Sequence, residues 1–166
     1  MGLEVSRQSI QLGREIGNGN FGNVMEALMT DQRGVARRVA AKVAVSSGGE
    51  EDGRMLYMEA MQMRDLHHAN VVALVGVCFA SQPCMLLLEL MDNGDLRTYL
   101  RLCADDATAP MTQGHLVALA TDAASGVSYL HARRYVHRDI AARNVVLSDG
   151  FVAKIGDFGL CSWYYY

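Results

Sequence analysis

Val-His-Arg-Asp-Ile-Ala-Ala-Arg-Asn, residues 136–144, places the carboxylate of Asp139 five residues before the carboxamide of Asn144. A carboxylate in such a loop can accept the proton of a hydroxyl group, and a carboxamide oxygen suits a hard cation such as Mg²⁺. Thirteen residues after Asn144, the triplet Asp157-Phe158-Gly159 adds a second carboxylate beside a flexible glycine. The stretch therefore indicates a site that holds a hydroxyl group and a metal ion beside a phosphate. The alternative is a polar turn between two strands, with its charges in solvent.

Composition limits the class of protein. The chain has 166 residues, enough for one domain with a sizeable core, and 51% of them are hydrophobic while 20% are charged. The net charge of −3 gives no electrostatic reason to expect binding to nucleic acid or to an anionic membrane. The four cysteines include no Cys-x-x-Cys pair, which favours reduced thiols in an intracellular protein over disulfides or a zinc site.

A glycine-rich stretch follows the first predicted strand, Ile10 to Ile16. The three glycines within residues 17–22 have the Gly-x-Gly-x-x-Gly spacing that lets a backbone approach a phosphate closely. Dinucleotide-binding folds use the same spacing, but there a helix follows at once and an acidic residue about twenty positions later holds a ribose. Lys42 stands near that position and has the wrong charge. A plain glycine-rich turn is the remaining alternative.

Lys42 and Glu59 are charged residues in apolar surroundings. Lys42 lies inside a predicted strand over residues 35–45, and Glu59 lies on the apolar stripe of a predicted helix over residues 52–66. Burying either charge alone is costly, so we expect the two side chains to pair. The alternatives are a lysine at a solvent-facing edge and a glutamate that reaches water at the rim of the stripe.

The remaining pattern predicts two more strands, two helices and a hairpin. The strands are residues 71–79 and 84–90, Asp95 caps a short helix over 96–102, and Thr112 caps a long one that ends near Arg133. Asp149-Gly150 predicts a tight turn between strands 145–147 and 151–155. Such a hairpin would bring Asn144 and Asp157 close together.

In this order, the glycine-rich loop, Lys42, Glu59, the His-Arg-Asp loop and Asp-Phe-Gly resemble the protein kinase family. The wording Ala-Ala-Arg-Asn at 141–144 resembles its tyrosine-specific branch, and residues 90–96 resemble receptor kinases of the insulin-receptor type. The resemblance implies an α+β fold with a five-stranded antiparallel small lobe and the first part of a mainly helical second lobe. It divides the chain into residues 1–91, the small lobe and hinge, and residues 92–166.

The resemblance also implies a role for each residue that matches a motif. The catalytic set is Lys42, Glu59, Asp139, Arg143, Asn144 and Asp157, of which Asn144 and Asp157 would ligate Mg²⁺. The ATP-binding set is Ile16, Gly17, Asn18, Gly19, Asn20, Phe21, Gly22, Val24, Ala40, Lys42, Leu88, Glu89, Met91 and Val146. Ordinary core packing is the alternative for the apolar members of this second set.

The implied function is ATP- and Mg²⁺-dependent transfer of phosphate to tyrosine in protein substrates. Ala141 stands where serine/threonine kinases usually carry a lysine, and Arg143 matches the arginine of the tyrosine branch. The expected setting is receptor-type signalling on the cytoplasmic side, without membrane contact by this segment. The chain ends seven residues after Gly159, before the family's Ala-Pro-Glu segment, so a non-catalytic fragment that binds a nucleotide or a partner is the alternative expectation. A dinucleotide-dependent oxidoreductase is disfavoured by Lys42 and the later motifs.

Overall fold

The computed structural model describes residues 2–19, 22–44, 49–105 and 111–163, with only the backbone described at 18, 19, 22, 49, 50, 105, 162 and 163. The chain forms two compact units. The first consists of Met1–Leu66 and Ala73–Leu90, and the second of His67–Val72 and Met91–Tyr166. The loop over residues 67–72 thus belongs to the second unit, although the sequence-based division places it in the first half.

The first unit contains a five-stranded antiparallel sheet with the strand order β1-β2-β3-β5-β4. Its strands are β1 (Ile10–Gly19), β2 (Gly22–Thr30), β3 (Ala36–Val43), β4 (Leu74–Cys78) and β5 (Met85–Glu89). The predicted fold class is therefore confirmed. One helix, α1 (Gly49–Met63), connects β3 to β4. It begins and ends three residues earlier than predicted, and the acidic residues Glu50 and Glu51 in its first turn favour the earlier start.

Alternation along the strands gives this sheet two different faces. One face carries an apolar cluster made of Ile10, Ala27, Met29, Val39, Ala41, Cys78, Met85 and Leu87. Lys42 follows Ala41 along β3 and so points to the other face. There α1 packs against β4 and β5, with Leu56 and Met63 buried. The apolar stripe of α1 thus places Glu59 on the same side of the sheet as Lys42.

The second unit contains two helices and two short ladders. In chain order these are α2 (Leu96–Asp105), α3 (Gln113–Ala132), β6 (Tyr135–Val136), β7 (Val145–Leu147), β8 (Ala153–Ile155) and β9 (Ser162–Trp163). Strand β7 pairs with β8, and β6 pairs with β9. Both predicted helix caps are confirmed, because Asp95 accepts from the Thr98 amide at 2.9 Å and Thr112 accepts from the His115 amide at 3.2 Å. No helix among the described residues is long and apolar enough to cross a membrane.

The predicted hairpin at Asp149-Gly150 is present, but its second strand starts two residues later than expected. Phe151 has a φ of +57°, a left-handed conformation that cannot continue a strand. Its ring lies 5.4 Å from that of Tyr99, which holds it in the turn. Val152 then donates to the hydroxyl of Ser148 at 3.1 Å, and the strand begins at Ala153.

Residues 70–72 run beside β8 and support it. The Val72 amide donates to Ile155 O at 2.9 Å, the Ile155 amide donates to Asn70 O at 2.9 Å, and the buried Asn70 side chain donates to Ala153 O at 3.0 Å. A methyl group at Gly126 on α3 would lie 2.3 Å from Asn70 O and 2.8 Å from Ile155 Cγ1. Glycine is therefore required for α3 to approach this strand so closely.

Candidate active site

Lys42 and Glu59 form a buried ion pair within the first unit. Lys42 Nζ lies 2.7 Å from Glu59 Oε2, and the two side chains are 7% and 2% exposed. Strand β3 presents the lysine between Val24 on β2 and Leu86 on β5, and α1 presents the glutamate. The predicted pairing is confirmed, and it rules out both a lysine at a wet edge and a glutamate at the rim. A cation held this firmly in an apolar setting is suited to binding an anionic ligand.

The glycine-rich stretch forms the end of a hairpin. Gly17 pairs with Val24, Asn18 with Asn23, and Gly19 with Gly22, so strand β2 follows the glycines where a dinucleotide-binding fold would have a helix. The predicted ATP-binding residues Asn20 and Phe21 lie outside the described residues. Ile16, at the start of this stretch, is 42% exposed.

The predicted adenine contacts are distributed over both units. In the first unit, Ala40 pairs with Leu88 across β3 and β5, and the Glu89 side chain accepts from the Ala73 amide at 2.7 Å. This bond fixes the end of β5, a role for the Glu89 carboxylate that the sequence analysis missed. In the second unit, Val146 is half-buried on β7, and Met91 O accepts from the Gly94 amide at 3.2 Å.

Asp139 is held by its neighbours in the second unit. The Asn144 side chain donates to both Asp139 O and Asp139 Oδ2 at 2.8 Å, and Arg143 donates to Asp139 Oδ1. The hydrogen bond from Asn144, followed by that from Arg143, holds the pKa of Asp139 below its usual range. The group is therefore an anion at neutral pH, oriented to accept a hydrogen bond from a hydroxyl group. Its lowered pKa makes it a weak base, so orientation is its main contribution.

His137 links the loop that carries Asp139 to the segment around Asp157. Its Nε2 lies 2.9 Å from Gly156 O, and its Nδ1 lies 3.4 Å from the Asp139 amide. The neutral tautomer with the proton on Nε2 satisfies both contacts at once. The ring also meets Phe158 edge-on, with centroids 5.3 Å apart. Nothing in the sequence beside Arg138-Asp139 indicates which groups the ring nitrogens of His137 will meet.

The hairpin brings the segments of Asn144 and Asp157 together, as predicted. Val145 pairs with Ile155, and the Gly156 amide donates to Asn144 O at 2.8 Å, so Asp157 follows directly after this contact. Asp157 has a φ of +58°, and Arg138 a φ of +67°. Left-handed backbone costs about 1–2 kcal/mol for residues other than glycine, and such conformations cluster at functional sites.

The donor set fits Mg²⁺ better than a metal that requires a protein cage. The Asn144 side-chain nitrogen donates both hydrogens to Asp139, which leaves its oxygen as the atom suited to a cation. Asp157 would add an exposed carboxylate. Within the described ranges there is no cluster of three or more His, Cys, Asp or Glu side chains that could hold a metal ion. One carboxylate and one amide oxygen match the way in which Mg²⁺ shares its shell with phosphates and water.

Comparison with known proteins places these features in a family. A family model described as protein tyrosine and serine/threonine kinase matches residues 10–166. The insulin-like growth factor 1 receptor of Bos taurus is 36% identical over 167 residues, which covers 95% of this chain and 26% of that protein. The insulin receptor of Xenopus laevis is 39% identical over 165 residues, covering 95% of this chain and 12% of that protein.

A third relative is the leukocyte tyrosine kinase receptor of Mus musculus, which is 41% identical over 164 residues. That match covers 95% of this chain and 18% of the receptor. The chain thus spans only a minor part of the length of these three relatives, whereas the family model covers nearly all of the chain. The chain belongs to the protein tyrosine and serine/threonine kinase family.

Proposed function

We propose that the protein transfers the γ-phosphate of ATP to tyrosine hydroxyl groups of protein substrates. The observation that carries this proposal is the buried ion pair of Lys42 and Glu59, with Nζ and Oε2 2.7 Å apart. A fully structural pair could be replaced by apolar residues at little cost, so a buried lysine held by a glutamate supports a functional role. That role is binding of the nucleotide phosphates, with Glu59 fixing the position of the ammonium group.

The rest of the nucleotide site is assigned on the same basis. Backbone amides of the glycine-rich hairpin would contact the phosphates, and the backbone of Glu89 and Met91 would bond the adenine edge. The side chains proposed to contact the adenine ring are Ile16, Val24, Ala40, Leu88 and Val146. Support comes from three members of this set that lie on adjacent strands of one sheet, because Ala40 on β3 pairs with Leu88 on β5 and Val24 lies on β2 beside β3.

Asp139 is proposed to orient the substrate hydroxyl and to accept its proton. Its two side-chain oxygens are fixed by Asn144 and Arg143, and its lowered pKa keeps it ionised at neutral pH. Asn144 and Asp157 are proposed as the residues that hold Mg²⁺. When bound, that ion supplies positive charge that neutralises the phosphate oxygens. Ala141 in place of a lysine, together with Arg143, favours tyrosine over serine and threonine as the acceptor.

The three relatives are receptors by name, which supports a role in receptor-type signalling on the cytoplasmic side of a membrane. The decisive experiment uses the purified protein with Mg-ATP and a peptide library that contains tyrosine, serine and threonine. Phosphoamino-acid analysis should give phosphotyrosine as the main product. Predominant phosphoserine would overturn the acceptor assignment. Binding of Mg-ATP without any transfer would instead identify a nucleotide-binding module.

A further inference from the structure

The N-terminal segment lies along β4, which is an edge strand of the sheet in the first unit. Two backbone hydrogen bonds, of 2.7 and 2.8 Å, join residues 3–5 to Val77 in a parallel bridge. Glu4 reaches beyond the end of β4, where its Oε1 accepts from the amides of Phe79 and Ala80, both at 2.9 Å. A carboxylate that accepts two backbone amides fixes the conformation of the chain that carries them.

The packing around Gly76 shows how closely this segment approaches the strand. A methyl group at Gly76 would lie 2.7 Å from Val5 Cγ2 and 3.1 Å from Leu3 O. Val5 also packs against the apolar cluster of the sheet. Residues 3–5, named here the N-terminal strap, are therefore seated by backbone pairing, by a side-chain cap and by apolar packing.

The end of β4 is in turn connected to α1. The Phe79 ring meets the Tyr57 ring with centroids 5.7 Å apart and planes tilted by 60°. Tyr57 lies on α1 two residues before Glu59, whose carboxylate holds Lys42. A displacement of the backbone at Phe79 thus moves an aromatic contact on the helix that carries the glutamate, and packed contacts transmit such shifts.

We propose that Glu4 is a positioning residue for the ion pair of Lys42 and Glu59. It acts by holding Phe79 against Tyr57, so that docking of the N-terminal strap sets the position of α1 and with it the affinity for nucleotide. The link to affinity rests on the proposed function, because it requires Lys42 to bind phosphate. The link from the strap to α1 does not require it. Glu4 is exposed, so a change at the protein surface can break its hydrogen bonds to the amides of Phe79 and Ala80.

Hydrogen exchange of the purified protein tests the first link. Glu4→Ala should raise exchange of the α1 amides within residues 53–63 and leave the paired amides of β1 to β3 unchanged. Glu4→Gln should restore slow exchange, because its side-chain oxygen still accepts from the two amides. Gln8→Ala, an exposed change close to the strap, is the matched control and should resemble the wild type. Unchanged α1 exchange in Glu4→Ala, or a uniform rise over the whole first unit, would overturn the proposal.

Gly76→Ala unseats the strap from the other side and should reproduce the rise in α1 exchange. If the relay runs through Tyr57, adding Glu4→Ala to Tyr57→Ala should raise α1 exchange no further, since neighbours in one pathway are not additive. An additive rise would remove Tyr57 from the relay.

Titration with Mg-ATP tests the second link. Glu4→Ala should weaken binding about three- to tenfold, the scale expected for loss of a capping interaction, while Glu4→Gln and Gln8→Ala bind normally. Normal Mg-ATP affinity in Glu4→Ala would overturn the link to affinity. A wild-type protein that does not bind Mg-ATP would refute the proposed function, while the exchange data would still decide whether the strap positions α1.

Discussion

Lys42 and Glu59 in the first unit form an ion pair with side chains 7% and 2% exposed, whereas Asp139 and Arg143 in the second unit form one with side chains 26% and 54% exposed. The first pair is surrounded by apolar strands and one helix. The second is part of a polar loop and shares its carboxylate with Asn144. The two units thus place opposite charges together in a dry setting and in a wet one.

This difference determines what each pair can do. In the buried pair, removal of either partner leaves the other charge without a partner and without water. The stability of the protein and the position of the remaining side chain therefore both depend on the pair. In the wet pair, water replaces a lost partner, and little stability is at stake. What the wet pair retains is orientation, because two donors fix both oxygens of Asp139. We therefore expect changes in the first pair to lower the stability of the protein as well as nucleotide binding, and changes in the second to lower activity with little change in stability.

Glu59→Leu should give the largest loss of stability. It leaves the Lys42 ammonium group buried without its partner, which costs about 3–5 kcal/mol of the free energy of unfolding. Denaturant unfolding measures this loss, and Glu51→Leu, an exposed change on the same helix, is the control. The double variant Lys42→Met with Glu59→Leu should regain most of the stability yet fail to bind Mg-ATP. A double variant less stable than Glu59→Leu would show that the unpaired ammonium group of Lys42 is not the cause of the loss.

Asp139→Asn should lower peptide phosphorylation about 10²- to 10⁴-fold, because the carboxylate proposed to orient the substrate hydroxyl and to accept its proton is lost. Its unfolding transition should stay close to that of the wild type, since the pair is partly exposed and the amide oxygen still accepts from Asn144. Asp149→Asn in the exposed β7–β8 turn should be unaffected in both respects. Steady-state kinetics and thermal unfolding check the pair of expectations. Strong destabilisation by Asp139→Asn would break the contrast between the two units.

Gly126→Ala tests the buried packing of α3 against residue Asn70 and strand β8 in the second unit. The added methyl group would lie 2.3 Å from Asn70 O, so α3 must move away from β8. Overpacking of this kind typically costs about 1–3 kcal/mol. Gly114→Ala near the start of α3 is the matched control, since its methyl group would be 3.7 Å from the Thr112 hydroxyl, an ordinary contact. If denaturant midpoints of the two variants coincide, the β7–β8 hairpin does not depend on close packing of α3.

Local patterns were sufficient for most elements and for the buried pair. Apolar runs predicted four of the five strands of the sheet, whereas β2 followed only from the family resemblance. The side chains of Asp95 and Thr112 predicted where α2 and α3 begin, because a cap is a contact within three residues. Lys42 and Glu59 could be paired from sequence because each was a charge on a buried face and needed an opposite charge.

Features that depend on distant contacts could not be predicted. Strands β6 and β9 have two residues each, too few to show any periodicity, and they pair across more than twenty residues. The Phe151 ring lies beside the ring of Tyr99, far away in the sequence, and no local pattern near Asp149-Gly150 indicates this contact. Docking of the N-terminal strap requires a residue without a Cβ atom at position 76, and no local pattern near residue 4 indicates this requirement.

Replacing Glu26 should give the smallest loss of stability, and it tests whether burial or membership of the first unit decides the cost of losing an ion pair. It belongs to the first unit, like the buried pair, but its partners Arg14 and Arg38 are 80% and 54% exposed. Hydrogen bonds from Arg38 and then from Arg14 lower the pKa of Glu26 below its ordinary value of 4.5. A lowered folded-state pKa gives stability that is present above the ordinary value and lost as the pH falls through the lowered one.

Glu26→Gln should therefore be slightly less stable than the wild type at neutral pH, and the difference should vanish in acid. It should also shrink in about 1 M salt, which screens exposed charges but not the buried pair. Thermal unfolding as a function of pH and salt measures both trends. A salt-insensitive loss as large as that of Glu59→Leu would mean that membership of the first unit, and not burial, decides the cost.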